Sequence, residues 1–356
     1  MRTKYPTTCE ERRRGVWLLK TALVFIVAVF IVVVLRELRT IFIPFFIALF
    51  LYFMLSQGVR RLQRWRLPKT LIMIGVLAAI FVCLYLCGLL FFTGASSFID
   101  HFPAYSEKVT QLLKNTLANL KLPLIDVKQY IAGIDWDNIF NPSQITALVS
   151  ASMGNFTSFI GNLLLVLLLL LFMLGEKVSM VTRVARTLSE ERAEELQNLV
   201  ATIEARIHHY LFIKTVMSAA TAALAALILL VGRVDFVIFT ALLVFFLNYI
   251  PTFGSLFSTL FPALIAFFKF GFGPHFILVT AALMVMQFVM GNVLEPQVMG
   301  RGLNLSPIVI LVALIFWGWL WGVVGMFLAV PVTSAIQIVC ESVPALKPLA
   351  AAMSSE

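Results

Sequence analysis

Asn248-Tyr249-Ile250-Pro251-Thr252-Phe253-Gly254-Ser255 interrupts an apolar run that otherwise extends from residue 236 to residue 269. Pro251 has no N–H and disfavours helix at the residue before it, and Gly254 weakens helix after it. The two halves hold about 12 to 15 residues each, short of the roughly 20 that a spanning helix needs. A second run, 307–343, is interrupted at Trp317-Gly318-Trp319-Leu320-Trp321-Gly322, with Gly325 just beyond, and its halves are similarly short. Lipid cannot hydrogen-bond the backbone groups freed at such breaks, so both tips must be buried in protein or line a water-filled path. Two interrupted hairpins in one half of a chain point to a transport site. The expected fold is an all-α polytopic membrane protein with about six full spans and two broken, re-entrant hydrophobic hairpins, flanked by amphipathic helices on both membrane faces. A pair of short ordinary spans at each break would keep the same loop sidedness.

The composition agrees with a bilayer environment. Of 356 residues, 61% are apolar and 13% are charged, against about a quarter charged in a soluble domain. A soluble chain of this size would still have to coat itself with polar groups, whereas a bilayer removes that need. The net charge of +9 does not mark a nucleic-acid binder, because Lys and Arg cluster beside apolar runs rather than along a basic stripe. Cys83 and Cys87 sit one turn apart in an apolar run as small hydrophobes. With Cys9 and Cys340 they form no zinc spacing or disulfide framework. No cofactor is expected, because no nucleotide-binding glycine loop followed by Lys-Ser or Lys-Thr occurs.

Full spans are expected at 16–35, 41–59, 70–92, 156–174, 210–231 and 274–291. Arg12-Arg13-Arg14 flanks the first span, and Arg60, Arg61, Arg64, Arg66 and Lys69 fill the loop after the second, so both are cytoplasmic. The organisation that follows is a tail with three spans (1–93), an outer amphipathic segment (94–155) broken by Pro103, Pro123 and Pro142, and a fourth span (156–175). A cytoplasmic amphipathic helix (176–209), a transport core with both hairpins (210–346) and a C-terminal tail (347–356) complete it. Thr187 and Glu190 are placed to form a capping box. Leu196, Leu199, Val200, Ile203 and Ile207 form one apolar stripe, suited to packing on the membrane face or on neighbouring helices, or to oligomerisation.

Between the hairpins, Glu295 and Arg301 are almost the only charges in a long apolar stretch, and Pro296, Gly300, Gly302 and Pro307 predict an irregular loop. An acid at membrane depth is a functional candidate, since a charge at bilayer centre costs about 2.5–3.5 kcal/mol on insertion scales. A hydrated loop at the membrane edge is the alternative. Gln287 and Asn292 could extend a polar path inward. Lys214 and Lys269 lie near span ends, where a long side chain reaches the interface. His208 and His209 are also expected at a boundary.

The residues 248–255, the 292–307 loop, Ile315-Phe316-Trp317-Gly318-Trp319-Leu320-Trp321-Gly322 and Val324-Gly325-Met326-Phe327-Leu328-Ala329-Val330-Pro331 closely resemble the autoinducer-2 exporter family. So do Arg64-Trp65-Arg66-Leu67-Pro68 and His209-Tyr210-Leu211-Phe212-Ile213-Lys214-Thr215. The resemblance implies a multi-span protein of the bacterial inner membrane that exports small molecules. Autoinducer-2 is the named substrate of some members, sodium(lithium)/proton antiport is associated with others, and a homo-oligomer is implied. It carries Asn248, Pro251 and Gly254 onto the first hairpin tip, and Asn292, Glu295, Pro296, Gly300 and Arg301 onto the loop. Where the family often has a second acidic or amide residue before the loop, this chain has Gln287 and Gly291.

The leading expectation is a secondary exporter of a small polar organic molecule, with autoinducer-2 as the quorum-sensing candidate. Its partners would be that substrate, the lipid bilayer, further copies of the chain and a coupling H+ or Na+. Asn248, Pro251, Thr252 and Gly254 at the tip, with Gln287, Asn292, Glu295 and Arg301, are the candidate path or gating residues. Gly300, Gly302, Gly318 and Gly322 are candidate hinges or breakers. A sodium(lithium)/proton antiporter is the alternative, and a membrane scaffold a further one. An enzyme is not expected, for lack of a metal or nucleophile constellation at membrane depth.

Overall fold

The computed structural model describes residues 22–23, 26–27, 29–63, 68–119, 156–299 and 304–355. The N-terminal tail, most of the first expected span, residues 64–67 and 120–155, and the stretch holding Gly300, Arg301 and Gly302 lie outside the described residues. A helical stretch at 29–37 leads into α1 (Arg39–Gln63), followed by α2 (Lys69–Asn119), α3 (Phe156–Ala185) and α4 (Glu190–Val231). Next come α5 (Val237–Leu247), α6 (Phe253–Phe270) and α7 (Pro274–Phe288). The last continues through a π-helical segment (Val289–Leu294) into α8 (Glu295–Met299). After α9 (Pro307–Ser342), a 3₁₀ turn (Pro344–Leu346) and α10 (Lys347–Met353) close the described chain.

Among the described residues, seven helical segments are long and apolar enough to cross a membrane. Their outward faces carry exposed Leu164, Leu168, Phe172, Leu227, Leu230, Ile315 and Trp319, a surface that suits acyl chains rather than water. The chain is an all-α, multi-pass membrane protein.

Four elements differ from the sequence reading, each for a local physical reason. The helix expected at 176–209 and the span at 210–231 are not separate: α4 runs unbroken from Glu190. Its N-cap is Ser189, and no capping box forms, because the Thr187 hydroxyl donates back to the Val184 carbonyl of the preceding helix. The half-buried stripe at Leu196, Leu199, Val200 and Ile203 belongs to this same helix, whose Glu204 accepts a hydrogen bond from Tyr52 of α1.

Pro103 does not break the outer segment either, and α2 passes through it to Asn119. The flanking Phe98, Phe102 and Tyr105 rings are fixed against Phe236, Phe239, Phe261 and Phe268. Each such ring pair is worth about 0.5–1.5 kcal/mol beyond its area, enough together to offset a lost helix bond. The predicted loop from Gly291 to Met299 is helical as well. Pro296 would clash with the carbonyl four residues back in a regular helix, and the wide π-turn over Val289–Leu294 makes room for it. Gly318, finally, is helical and packs on Met326, whereas the break in α9 falls at Gly322 (φ 66°, ψ −146°).

Helices α4, α5, α6 and α7 pack in a closed ring, each on the next and α7 back on α4, with α2 against the α5–α6 side. On the other side of α4, helices α1, α3 and α9 form a second core around Leu170, Ile207, Leu314, Trp317 and Leu328. Both broken runs are hairpins. In the first, a Cβ on Gly254 would fall 1.8 Å from the Leu247 carbonyl oxygen. In the second, a Cβ on Gly325 would fall 1.9 Å from that of Trp317. Only glycine lets two backbones approach so closely. The hairpin bases lie toward opposite ends of α4: Asp235, at the base of the first, follows the C-terminus of α4, while Glu341 at the base of the second pairs with Arg206 at 3.7 Å. Their tips meet where the Tyr249 and Phe327 rings stack 4.4 Å apart.

Candidate functional site

The site is built where the first hairpin tip, the middle of α4 and the π-turn come together. Tyr210, Lys214 and Ser218 recur at the four-residue spacing that keeps them on one face of α4, and all three are buried. Lys214 Nζ donates to Glu295 Oε1 in a close ion pair whose side chains are only 5% and 17% exposed. The expected reach of Lys214 to the membrane interface is therefore corrected: its ammonium is turned inward. The π-segment explains why the acid is there. It changes the angular phase between α7 and α8, which aims the first residue of α8 at α4.

Asn248 is buried and its Nδ2 donates to Ser218 Oγ at 3.2 Å, which ties the hairpin tip to α4. Beside it, Thr215 Oγ1 lies 2.6 Å from both the Leu211 carbonyl and the Tyr249 hydroxyl. With the threonine proton committed to the carbonyl, Tyr249 is the donor of the second bond. Tyr249 thus links α4 to Phe327 of the opposed hairpin.

The remaining sequence candidates divide. Pro251 and Thr252 form the turn itself, in which Phe253 N–H donates to the Pro251 carbonyl at 2.7 Å around Thr252 at φ 64°, ψ −62°. That is a γ-turn with positive φ, a strained conformation, and it points Thr252 outward. Thr252 is exposed and is not the inward polar contact the sequence suggested. Asn292 is exposed too and does not extend the path. Gln287 is buried, and neither its Oε1 nor its Nε2 meets a partner. Lys214, Ser218 and Tyr249 were missed as members of this cluster. Their shared four-residue spacing with Tyr210 was the signal for the first two.

A second polar cluster closes the other end of the ring. Asp235, in the α4–α5 turn, accepts from Lys269 Nζ at 2.5 Å and from the Tyr105 hydroxyl at 2.6 Å. Partial burial alone would raise this carboxyl, but the Lys269 ammonium and the Tyr105 hydroxyl outweigh it and hold it below the usual carboxylate range. His275 Nε2 lies 2.8 Å from the Gly232 carbonyl, so α7 is fastened to the same turn.

Two opposed hairpins touch at their tips beside a buried ion pair. The model of the AI-2E family transporter matches residues 22–345. The chain belongs to the AI-2E family. Within the range of similar proteins is the AI-2 transport protein TqsA of Escherichia coli (strain K12), 32% identical over 328 residues, which span 91% of this chain and 92% of TqsA. A Haemophilus influenzae chain named "Putative transport protein" is 32% identical over 311 residues, 85% of this chain and 87% of its own length. YhhT of Escherichia coli, which bears the same description, is 29% identical over 270 residues, 76% of this chain and 71% of its own. In this AI-2E family member the matched region takes in both hairpins, the Lys214–Glu295 pair and the Asp235 cluster.

Proposed function

We propose that this membrane transporter is a secondary exporter of a small polar organic molecule in the bacterial inner membrane, with autoinducer-2 as its first candidate substrate. The observation that carries the reading is the buried Lys214–Glu295 pair beside hairpin tips that touch through Tyr249 and Phe327. At 1.5 Å per residue helix α5 is about 16 Å long and α6 about 27 Å, both short of a ~30 Å hydrocarbon layer, which supports a re-entrant first hairpin. With the N-terminus in the cytoplasm, Asp235 and Lys269 face outward and Lys214 and Glu295 lie toward the cytoplasm. A salt bridge near each end of one helix ring then acts as a pair of gates. One charge moved through 100 mV gains about 2.3 kcal/mol, sufficient to bias such a cycle.

The test is efflux of autoinducer-2 from vesicles reconstituted with the purified chain. Glu295→Gln and Lys214→Met are each expected to stop efflux while the protein still inserts. Wild-type vesicles that hold autoinducer-2 no less well than empty ones would overturn the substrate. A single observation favours a second reading: a carboxylate that can trade an ammonium for a proton or sodium supports sodium(lithium)/proton exchange. That reading requires a sodium-dependent pH change in vesicles that Glu295→Gln abolishes.

A further inference from the structure

Helices α5, α6 and α7 of the ring carry buried polar atoms without a hydrogen-bond partner at Thr240, Ser258 and Gln287, besides Thr280, which lines the groove between α6 and α7. Thr240 and Ser258 are 0% exposed and Gln287 is 8% exposed. The Oγ of each hydroxyl residue and both polar atoms of the amide find no hydrogen-bond partner. Burying a polar group unpaired is unfavourable, and such groups in native proteins are satisfied by water or ligand.

The packing register puts the three in one layer. Lys214 meets Glu295 and Gly232 abuts Val279, so α4 and α7 run antiparallel with Gln287 opposite Ala222 and Ala223. Asn248 meets Ser218, which sets Thr240 opposite Ala225 and Ala226. Phe239 packs on Phe261, which sets Ser258 beside Leu242 of α5 and so at the depth of Leu224. All three lie within about one helical turn of depth, ~5 Å. They come from three different helices of the ring, and on the fourth, α4, the small residues Ala222 and Ala225 are buried at the same depth. This layer is roughly midway between the two ion pairs, about 15 Å along α4 from Lys214.

We propose that Thr240, Ser258 and Gln287 form a binding site for a small uncharged molecule rich in hydroxyl or carbonyl groups. It rests on the transporter reading and names the site that the two gates would alternately open. Two hydroxyls and a carboxamide offer donors and acceptors but no charge. No Asp, Glu, Lys or Arg occurs at 215–232, 237–268 or 270–294, so the layer itself carries no charge. An ionic solute would enter this layer without a counter-charge, and the cost of desolvating it excludes it. A neutral solute needs only to replace its water hydrogen bonds with those of the three side chains.

The test places one cysteine at a time in a full-length chain whose native cysteines are replaced. Thr240→Cys and Ser258→Cys are compared with Leu283→Cys, a fully buried apolar position of the same ring. The probes are 2-hydroxyethyl methanethiosulfonate, which is neutral, and its trimethylammonium and sulfonate counterparts. Only a thiol reached by water reacts, because the thiolate is the nucleophile. Both cysteines are expected to react with the neutral reagent at least about tenfold faster than the Leu283 position, and at least about tenfold faster than with either charged reagent. Reaction no faster than at Leu283 means a dry layer and overturns the site. Equal reaction with all three reagents overturns the ligand class. Separately, Gln287→Leu, Thr240→Val and Ser258→Ala are expected to keep or raise the melting temperature while slowing efflux. A fall in melting temperature would mean that these groups are satisfied within the fold and would also overturn the site. Labelling requires no transported substrate, so a dry layer leaves the exporter reading to its own vesicle assay.

Discussion

At Lys214 and Glu295 a charge pair is buried where the loss of either partner alone is costly. Removing one member of a buried pair is destabilising by about 3–5 kcal/mol, whereas replacing both by apolar groups of similar size is often neutral. Glu295→Gln is therefore expected to lower the melting temperature sharply. The double variant Lys214→Met with Glu295→Leu is expected to recover it without recovering transport, and differential scanning fluorimetry beside an efflux assay separates the two. Thr252 gives the opposite case. Its γ-turn stores about 1–3 kcal/mol of backbone strain, so Thr252→Gly is expected to raise thermal stability. The sequence marked Glu295 as an isolated acid in an apolar field. It could not supply Lys214 as the partner, because the pair spans 81 residues and depends on how α4 and α7 lie against each other.

Among the elements, the two hairpins depend on single glycines. Gly254→Ala and Gly325→Ala each force a Cβ onto a carbonyl oxygen at under 2 Å. Each is expected to lose folded protein by size-exclusion chromatography, at a cost of at least 1–3 kcal/mol typical of overpacking. At the base of the first hairpin, Asp235 is held ionised by Lys269 and Tyr105. A carboxyl whose folded pKa is depressed contributes stability above its unfolded value near ~3.9 and loses it as pH falls through the folded value. The difference in melting temperature between wild type and Asp235→Asn is thus expected to be constant from neutral pH down to about 5 and to shrink as the pH falls further, through the depressed folded value. It should be modest, because the pair is over a third exposed on the Asp235 side. Breaks at Pro251 and Gly322 were legible because proline and glycine act locally. Pro103 and Pro296 misled because distant aromatic packing and a π-turn absorb what those prolines do to a helix.

On the scale of the whole molecule, the opposed hairpins and the closed ring are one arrangement seen from two sides of α4. Linking Tyr249→Cys to Phe327→Cys with a short bis-methanethiosulfonate, which forms a disulfide to each cysteine, is expected to arrest efflux, and a reducing agent to restore it. Efflux that persists through the linkage would mean that the tips do not move relative to each other. Length and hydropathy disclosed a polytopic chain, and two interruptions disclosed the hairpins. The orphaned layer at Thr240, Ser258 and Gln287 was legible only at Gln287, since threonine and serine are common in spanning helices and only assembly shows which hydroxyls lack a partner.

The contact between the tips has a mechanical meaning. Tyr249 and Phe327 meet as flat rings, with no hydrogen bond between them to set a preferred notch. Stacked rings tolerate lateral displacement far better than a directional N–H or O–H bond does. The contact itself imposes no directional constraint between the two hairpins; the directional bonds at this tip run instead to α4, from Asn248 to Ser218 and from Tyr249 to Thr215.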